Sequence, residues 1–197
     1  MMTTAVVRIE PSQAPGGVNT DRGTRLHPHP FTVREGNHVR DMRVIGIDPG
    51  YGRVGWGVVE GERHQLASRA WGCIETEKED PIPVRILEVW RELNRLLDEW
   101  SPDGMAIETL YFSKNVTTAM QVAEVRGVIR LAAVERALPV AEYAPNQIKQ
   151  AVTGSGRADK RQVQEMVRRI LSLDELPRPD DAADALACAV CHLHWTR

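Results

Sequence analysis

The sequence predicts an α/β domain built on a mixed five-stranded sheet with helices on both faces. Three strand-like segments come first, at 43–48, 53–60 and 65–75. Two more, 104–108 and 138–143, are separated by stretches with the spacing of helices. Consecutive hairpins followed by strands that alternate with helices are typical of a mixed sheet packed between helices.

The apolar residues decide the type of each element. In 53–60, Val54, Trp56 and Val58 alternate with small or polar residues, which is the period of two of a strand. In 83–100 the apolar residues recur at the 3.6-residue spacing of a packed helix. Further helices are predicted at 115–137, 145–152 and 159–171, with a last one that begins at 179–181 and continues to about 194.

Length and composition indicate one folded domain with an N-terminal extension. The chain has 197 residues, 42% of them apolar and 26% charged, and residues 1–41 show no sustained apolar periodicity. We therefore expect a disordered extension at 1–41 and a folded domain at 42–197. With three cysteines, no long apolar run and no secretory leader, a cytoplasmic protein without membrane contact is expected.

Positive charge is concentrated in one segment of a chain whose net charge is -2. The segment 149–169 contains six basic residues and two acidic ones. Such a segment beside an acidic pocket suits a phosphate backbone, although a solvated helix face fits the charge alone equally well. The basic residues are Lys149, Arg157, Lys160, Arg161, Arg168 and Arg169.

A G-x-G-x-x-G match at 50–55 raises the question of a dinucleotide site. That motif must close a strand and open a helix, whereas these glycines lead into the predicted strand 53–60. We interpret the segment as a tight hairpin whose glycines let a large ligand approach the backbone, with Asp48 facing that ligand. The actin-like and sugar-kinase ATPases also begin with a Gly-Ile-Asp-x-Gly strand and hairpin and remain an alternative, but they need two domains to enclose the nucleotide, and the chain is short for that.

Four acids lie at the ends of predicted elements. Asp48 and Glu108 end predicted strands, and Asp181 and Asp184 lie at the start of the last helix. Each alone is equally compatible with a turn, a surface acid or a helix N-terminus. If the first and fourth strands are neighbours, the four carboxylates converge, and they then require a divalent cation to remain ionised together. Two Mg²⁺ or Mn²⁺ ions held in this way perform phosphodiester hydrolysis in nucleases.

Four segments resemble the RuvC family of Holliday-junction resolvases, in the RNase H-like superfamily. The resemblance spans residues 42 to about 194. It rests on GIDPGYGRVGWGVVE, AIETLYFSKN, AAVERALPVAEYAPNQIKQAVTGSGRADKRQV and PDDAADALACAVCH, in this order.

The resemblance implies roles for individual residues. Two lysines would act near the scissile phosphate, Tyr111 would contact bases or else belong to the core, and Asp180 would only cap its helix. The matching metal-binding acids are Asp48, Glu108, Asp181 and Asp184, the active-site lysines are Lys149 and Lys160, and the expected DNA contacts are Tyr111, Lys149, Arg157, Lys160 and Arg161.

The resemblance also implies a metal-dependent endonuclease that resolves Holliday junctions by paired symmetric nicks in recombination and repair. A homodimer is implied, with an interface on the helix at 115–137 and its Met120, Val125 and Val128, and so is cooperation with the RuvA–RuvB branch-migration complex. The alternative is a non-catalytic protein of the same fold that binds four-way junctions.

Overall fold

The computed structural model describes residues 41–62, 65–109 and 116–196, and these belong to one compact unit. Tyr111 and all but the last residue of the expected N-terminal extension lie outside the described residues. The order of the elements confirms the predicted succession of hairpins and then alternating helices and strands.

The described part of the chain forms five strands and five helices, none of which is both long and apolar enough to cross a membrane. Each predicted element is present, and no end is shifted by more than two residues. The elements are β1 (Met42–Pro49), β2 (Arg53–Glu62), β3 (Gln65–Glu75), α1 (Ile82–Trp100), β4 (Gly104–Glu108), α2 (Val116–Glu135), β5 (Val140–Tyr143), α3 (Pro145–Thr153), α4 (Lys160–Ile170) and α5 (Asp180–Trp195).

The strands form a mixed sheet in the order β3-β2-β1-β4-β5. The first three strands pair antiparallel as two hairpins, whereas β1 pairs parallel with β4, and β4 pairs parallel with β5. The pairing of Ile47 with Ile107 brings the next residues, Asp48 and Glu108, to the same edge of the sheet. The first and fourth strands are therefore neighbours, which was the condition for the four acids to converge.

Helices cover both faces of the sheet. Because successive strand residues point to opposite faces, Ile45 and Ile47 pack toward α1 and α2, while Val44 and Val59 pack toward α3, α4 and α5. All four side chains are fully buried. The sheet is thus held rigidly between two apolar layers, and its edges carry the polar side chains.

The glycines of the first hairpin serve packing. A Cβ atom at Gly46 would lie 2.0 Å from the Ala185 carbonyl oxygen, and one at Gly55 would lie 2.1 Å from the Asp181 carbonyl oxygen. Helix α5 fills the space beside these strands, so the expectation that the hairpin glycines admit a large ligand is wrong for Gly55. Their small size instead lets α5 bring its first turn against β2.

The three apolar residues of α2 that were expected at a dimer interface differ in exposure. Val125 is buried in the core, Val128 is half-buried, and the Met120 side chain is 65% exposed. Val125 therefore belongs to the core of the domain, whereas Met120 remains on the surface. Among the α2 side chains that the structure describes, the large apolar ones that are exposed are Met120, Leu131 and Val134.

Candidate active site

Two acids stand at the same edge of the sheet. Asp48 is the penultimate residue of β1, Glu108 is the last residue of β4, and both side chains are half-buried. The parallel pairing of these strands places the two residues side by side. The rigid core beneath them fixes where their carboxylates emerge.

Helix α5 supplies two further acids. It begins after Pro179, and Asp181 and Asp184 lie on its first two turns, both only partly exposed. The close approach at Gly55 holds the backbone of Asp181 against β2. The helix therefore delivers its acids to the edge where Asp48 stands.

Asp180 does not cap α5, contrary to expectation. Pro179 is the N-cap residue, and no side chain makes a capping hydrogen bond there. The Asp180 carboxylate instead accepts a hydrogen bond from Gln164 Nε2 at 3.2 Å and lies 3.4 Å from Lys160 Nζ. Asp180 thus joins α5 to α4, because it is already inside the helix and its side chain points toward that neighbour.

The carboxylates at this edge strongly influence one another. Burial, followed by the charges of Asp184 and Asp181, raises the pKa of Asp48 to about 7, against the opposing charge of Lys160. Burial, followed by the charges of Asp48 and Asp184, raises the pKa of Glu108 to about 7. Protonation near neutral pH is the expected response of clustered acids that lack sufficient compensating positive charge.

Some positive charge of the protein itself reaches the cluster. Lys160 Nζ lies 3.1 Å from Asp184 Oδ2, and Arg53 Nη1 lies 3.9 Å from Asp181 Oδ2. Burial nevertheless raises the pKa of Asp184 despite its bond to Lys160. The lysine and arginine thus compensate only part of the cluster's negative charge.

A cavity of about 280 Å³ opens beside the acids. Its lining includes two carboxylates, two ammonium groups and several apolar side chains. Both lysines expected near the scissile phosphate are among its lining residues. These are Glu108, Pro145, Ile148, Lys149, Lys160, Val163, Asp184 and Ala187.

The remaining basic residues of the predicted DNA contact lie at the start of α4. Arg157 and Arg161 are exposed, on either side of Asp159. The Asp159 carboxylate accepts a hydrogen bond from the Gln162 amide at 2.9 Å, and the Asp159 amide donates one to Gln162 Oε1 at 2.9 Å. This capping box fixes the start of the helix and hence the place of the two arginines.

Sequence reasoning missed Arg53 and Arg126. Arg126 lies on α2, is only 4% exposed, and donates a hydrogen bond to the carbonyl oxygen of Glu108. The sequence could have indicated a special role for Arg126, because this charged residue interrupts the apolar face of a helix between Val125 and Ile129. Arg53 carries no comparable signal, since a charged residue at the start of a strand is common.

The donor set fits a hard divalent cation. Four partly buried carboxylates offer oxygen ligands, and the raised pKa values of Asp48 and Glu108 mean that a cation would favour their ionised forms. Among the described residues, no three His, Cys, Asp or Glu side chains already stand in position to share an ion. Lys160 and Arg53 lie against two of the acids, so their displacement would accompany metal binding.

Comparison with known sequences identifies a single family. The family model described as "Crossover junction endodeoxyribonuclease RuvC" matches residues 44–192. A protein of that name from Thermotoga petrophila is 50% identical over 156 residues, which cover 79% of this chain and 94% of the relative. One from Petrotoga mobilis is also 50% identical, over 79% of this chain and 96% of the relative.

Solved structures are similar to the same region. The chain matches Thermus thermophilus RuvC, determined in complex with a Holliday junction substrate, with a TM-score of 0.76 and 35% identity over 78% of this chain and 94% of the other. It also matches the yeast mitochondrial Holliday junction resolvase Ydc2 with a TM-score of 0.57 and 14% identity, over 79% and 81% of the two chains. The second similarity concerns the fold alone.

Proposed function

The chain belongs to the RuvC family of crossover junction endodeoxyribonucleases, and from this premise we propose that its carboxylate cluster resolves four-way DNA junctions by metal-dependent hydrolysis. We assign the activity to residues 42–197. The observation that carries the proposal is the cluster itself. Acids from three separate elements meet at one edge of the sheet, where burial and mutual repulsion raise the pKa values of Asp48 and Glu108 to about 7.

The four acids are proposed to hold the metal. Asp48, Glu108, Asp181 and Asp184 supply only oxygen ligands, which suits two ions of Mg²⁺ or Mn²⁺. When bound, such ions supply an activated water and stabilise the leaving oxygen. The raised pKa values support this assignment, because an acid that costs free energy to ionise in the metal-free protein has reason to bind a cation.

Two lysines are proposed to act on the scissile phosphate. Lys149 and Lys160 line the cavity beside the acids, where an ammonium group can offset the negative charge that develops on the phosphate oxygens. Hydrolysis joins the water oxygen to phosphorus and breaks the bond from phosphorus to the 3' oxygen, which takes a proton. The products are a 5'-phosphate and a 3'-hydroxyl.

The basic segment is proposed to bind the DNA backbone. Arg157 and Arg161 project from the start of α4, within a few residues of Lys160, and lie exposed beside the cavity that Lys160 lines. Contacts of this kind neutralise phosphates and recognise the shape of the junction more than its sequence. Tyr111 remains a proposed base contact.

A homodimer is proposed because two symmetric nicks need two equivalent sites. The exposed Met120, Leu131 and Val134 on α2 are apolar surface that a second copy would cover. Cooperation with the RuvA–RuvB branch-migration complex and a cytoplasmic location complete the proposal, both by the chain's membership of the family.

The direct test compares a synthetic four-way junction with a linear duplex of the same sequence, in Mg²⁺, in Mn²⁺ and in EDTA. We expect paired symmetric nicks in the junction, little cutting of the duplex, and no cutting in EDTA. Equal cutting of both substrates would reduce the proposal to a general nuclease. Cutting in EDTA would remove the metal from the mechanism.

The substitution Asp48→Asn separates catalysis from binding. It removes a proposed ligand but keeps the shape of the side chain, so cleavage is expected to disappear while junction binding is retained or strengthened, since negative charge near the phosphates falls. A variant that cuts as fast as the wild type would contradict the metal site. A wild type that binds junctions and never cuts them would favour the non-catalytic alternative.

A further inference from the structure

Arg126 is a buried cation on the core side of α2. Its side chain is 4% exposed and lies on the same face as the buried residues Val122, Val125 and Ile129. A guanidinium in such a place is costly unless its donors are paired, and burial lowers the pKa of Arg126 although Glu142 opposes that shift. The position therefore needs an explanation in terms of what the guanidinium holds.

The guanidinium of Arg126 joins two adjacent strands. One amino group donates a hydrogen bond to the main-chain carbonyl of Glu108, and the other donates to Glu142 Oε2 at 2.8 Å. Glu108 ends β4 and pairs with Tyr143 of β5, next to Glu142. Arg126 thus grips the backbone of the residue that carries a proposed metal ligand, at the point where the strand ends.

Glu108 lies at the end of the ladder between β4 and β5. Directly after it, the Thr109 amide donates a hydrogen bond to the Tyr143 carbonyl oxygen at 2.8 Å. The end of a strand opens locally more readily than the middle of a sheet. The contact from α2 is therefore well placed to decide how precisely Glu108 is held.

Arg130 provides a natural comparison on the same helix. Its Nη2 lies 2.6 Å from Glu142 Oε1, so it pairs with the same carboxylate from the next turn. Its side chain is half exposed, and Glu142 is the hydrogen-bonding partner found for it among the described residues. The two arginines differ in that Arg126 also bonds to Glu108.

We propose that Arg126 is a positioning residue for Glu108: by bridging the Glu108 carbonyl and the Glu142 carboxylate, it fixes the strand end from which the Glu108 side chain reaches the metal site. This inference rests on the proposed function and adds a component outside the acid cluster. The planar fork of arginine presents two amino groups in fixed directions, one to each acceptor, whereas the ammonium group of lysine is a single point of charge that does not reproduce this spacing. Misplacement of a ligand by even about 1 Å is enough to lower a catalytic rate roughly a hundredfold.

The experiment compares Arg126→Lys with the control Arg130→Lys. Each keeps the positive charge beside Glu142, and only the first removes the fork that reaches Glu108. We expect Arg126→Lys to lower the cleavage rate at saturating junction roughly 10- to 100-fold and to raise the half-saturating Mg²⁺ concentration several-fold. Junction affinity in EDTA is expected to stay at the wild-type value for both variants, and Arg130→Lys is expected to cut like the wild type.

A second measurement does not depend on catalysis. Hydrogen exchange of the Thr109 amide, followed in the metal-free protein, reports whether the end of β4 is held. We expect exchange roughly tenfold faster in Arg126→Lys and unchanged in Arg130→Lys. If Arg126→Lys proves too unstable, Glu142→Gln removes the charged partner of Arg126 and is expected to change Thr109 exchange in the same direction.

The outcomes separate this inference from the proposed function. Arg126→Lys that matches Arg130→Lys in cleavage, Mg²⁺ dependence and Thr109 exchange would overturn the positioning role. Lower stability with unchanged Mg²⁺ dependence and unchanged Thr109 exchange would also overturn it, because Arg126 would then serve packing alone. If the wild type fails to cut junctions, the proposed function is wrong, and Thr109 exchange still decides whether Arg126 holds the end of β4.

Discussion

An acid lies near each end of β1, Glu60 of β2 at the first end and Asp48 at the other, and the two are in opposite electrostatic situations. At the first end, Arg43 lies opposite Glu60 of β2, and the Glu60 carboxylate accepts hydrogen bonds from Arg43 Nη2 and Arg69 Nε, both at 2.9 Å. At the other end stands Asp48, within a group of acids that Lys160 and Arg53 compensate only in part. The same strand thus connects a cluster whose negative charge is compensated by cations to one whose negative charge is not.

The pKa values follow this contrast. Although burial acts to raise the pKa of Glu60, the hydrogen bonds from Arg43 and Arg69 bring it below its usual value. Burial and neighbouring acids raise the pKa of Asp48 to about 7. A partly buried acid that has its own cations is explained by folding, whereas an acid cluster without enough of them indicates a function that supplies the missing charge.

The largest difference between the two ends is expected in catalysis. Glu108→Gln keeps the size of the side chain and removes a proposed metal ligand. Substituting a residue that only hydrogen-bonds to a metal ligand usually costs up to about a hundredfold in activity, so losing the ligand itself should lower cleavage of a four-way junction by more than that. Glu60→Gln should leave cleavage within about twofold. Rates at saturating junction and fixed Mg²⁺ check both, and equal losses would mean that the contrast between the two ends has no bearing on catalysis.

For the stability of the metal-free protein, the order of the two substitutions should be reversed: Glu60→Gln should be the damaging one. Glu60→Gln leaves two guanidiniums without their carboxylate and should lower the free energy of unfolding by about 1 to 2 kcal/mol. Glu108→Gln removes a desolvated, repelled carboxylate and should raise it by about 1 kcal/mol. Urea unfolding in EDTA at pH 7.5 measures both changes, and a destabilised Glu108→Gln would show that Glu108 is held by compensating contacts after all.

The pH dependence of stability should also differ between the two ends. Because the pKa of Asp48 rises from 3.8 to about 7 on folding, the folded protein binds more protons than the unfolded chain between these values. The unfolding free energy of the metal-free protein should therefore fall as pH increases from about 4 to 7, and Asp48→Asn should flatten that fall. Glu60, with its lowered pKa, contributes stability that is lost only as the pH falls below its usual titration range.

This pH profile is measured by thermal unfolding in EDTA at half-unit steps. For a chain of this size, about 1 kcal/mol corresponds to roughly 2 to 4 °C in the unfolding midpoint. Glu60→Gln is the matched control, since it should alter the acid limb and leave the slope between pH 5 and 7 unchanged. A wild-type stability that increases across that interval would contradict the raised pKa of Asp48.

The sequence was sufficient to predict the sheet and the edge at which the acids gather. Strand and helix periods are local properties, whereas the pairing of β1 with β4 entered only as the condition under which Asp48 and Glu108 would converge. The role of Gly55 was not predictable from the sequence, because a glycine that makes room for a ligand cannot be distinguished there from one that makes room for a helix. Only the position of α5 distinguishes the two.

Side-chain partners were harder to predict than positions. Asp180 was expected to cap its helix, but it is already the first residue of α5, and its carboxylate contacts Gln164 and Lys160 of α4 instead. Arg126 lies far from Glu108 in the sequence, and its bond to the main chain of Glu108 depends on how α2 crosses the sheet. Contacts of this kind are set by tertiary packing, which a local pattern does not encode.

The smallest expected difference concerns the exposed arginines at the two ends. Arg157→Ala and Arg161→Ala each remove a proposed phosphate contact, so each should weaken junction binding a few-fold and reduce the slope of log affinity against log salt by about 1. Arg69→Ala removes an equal charge at the far end of the sheet, and its slope should match the wild type because no DNA is expected there. Binding is measured in EDTA over a range of KCl concentrations. If all three variants shift the slope equally, the arginines act through net charge alone, and the DNA path proposed beside the acids is wrong.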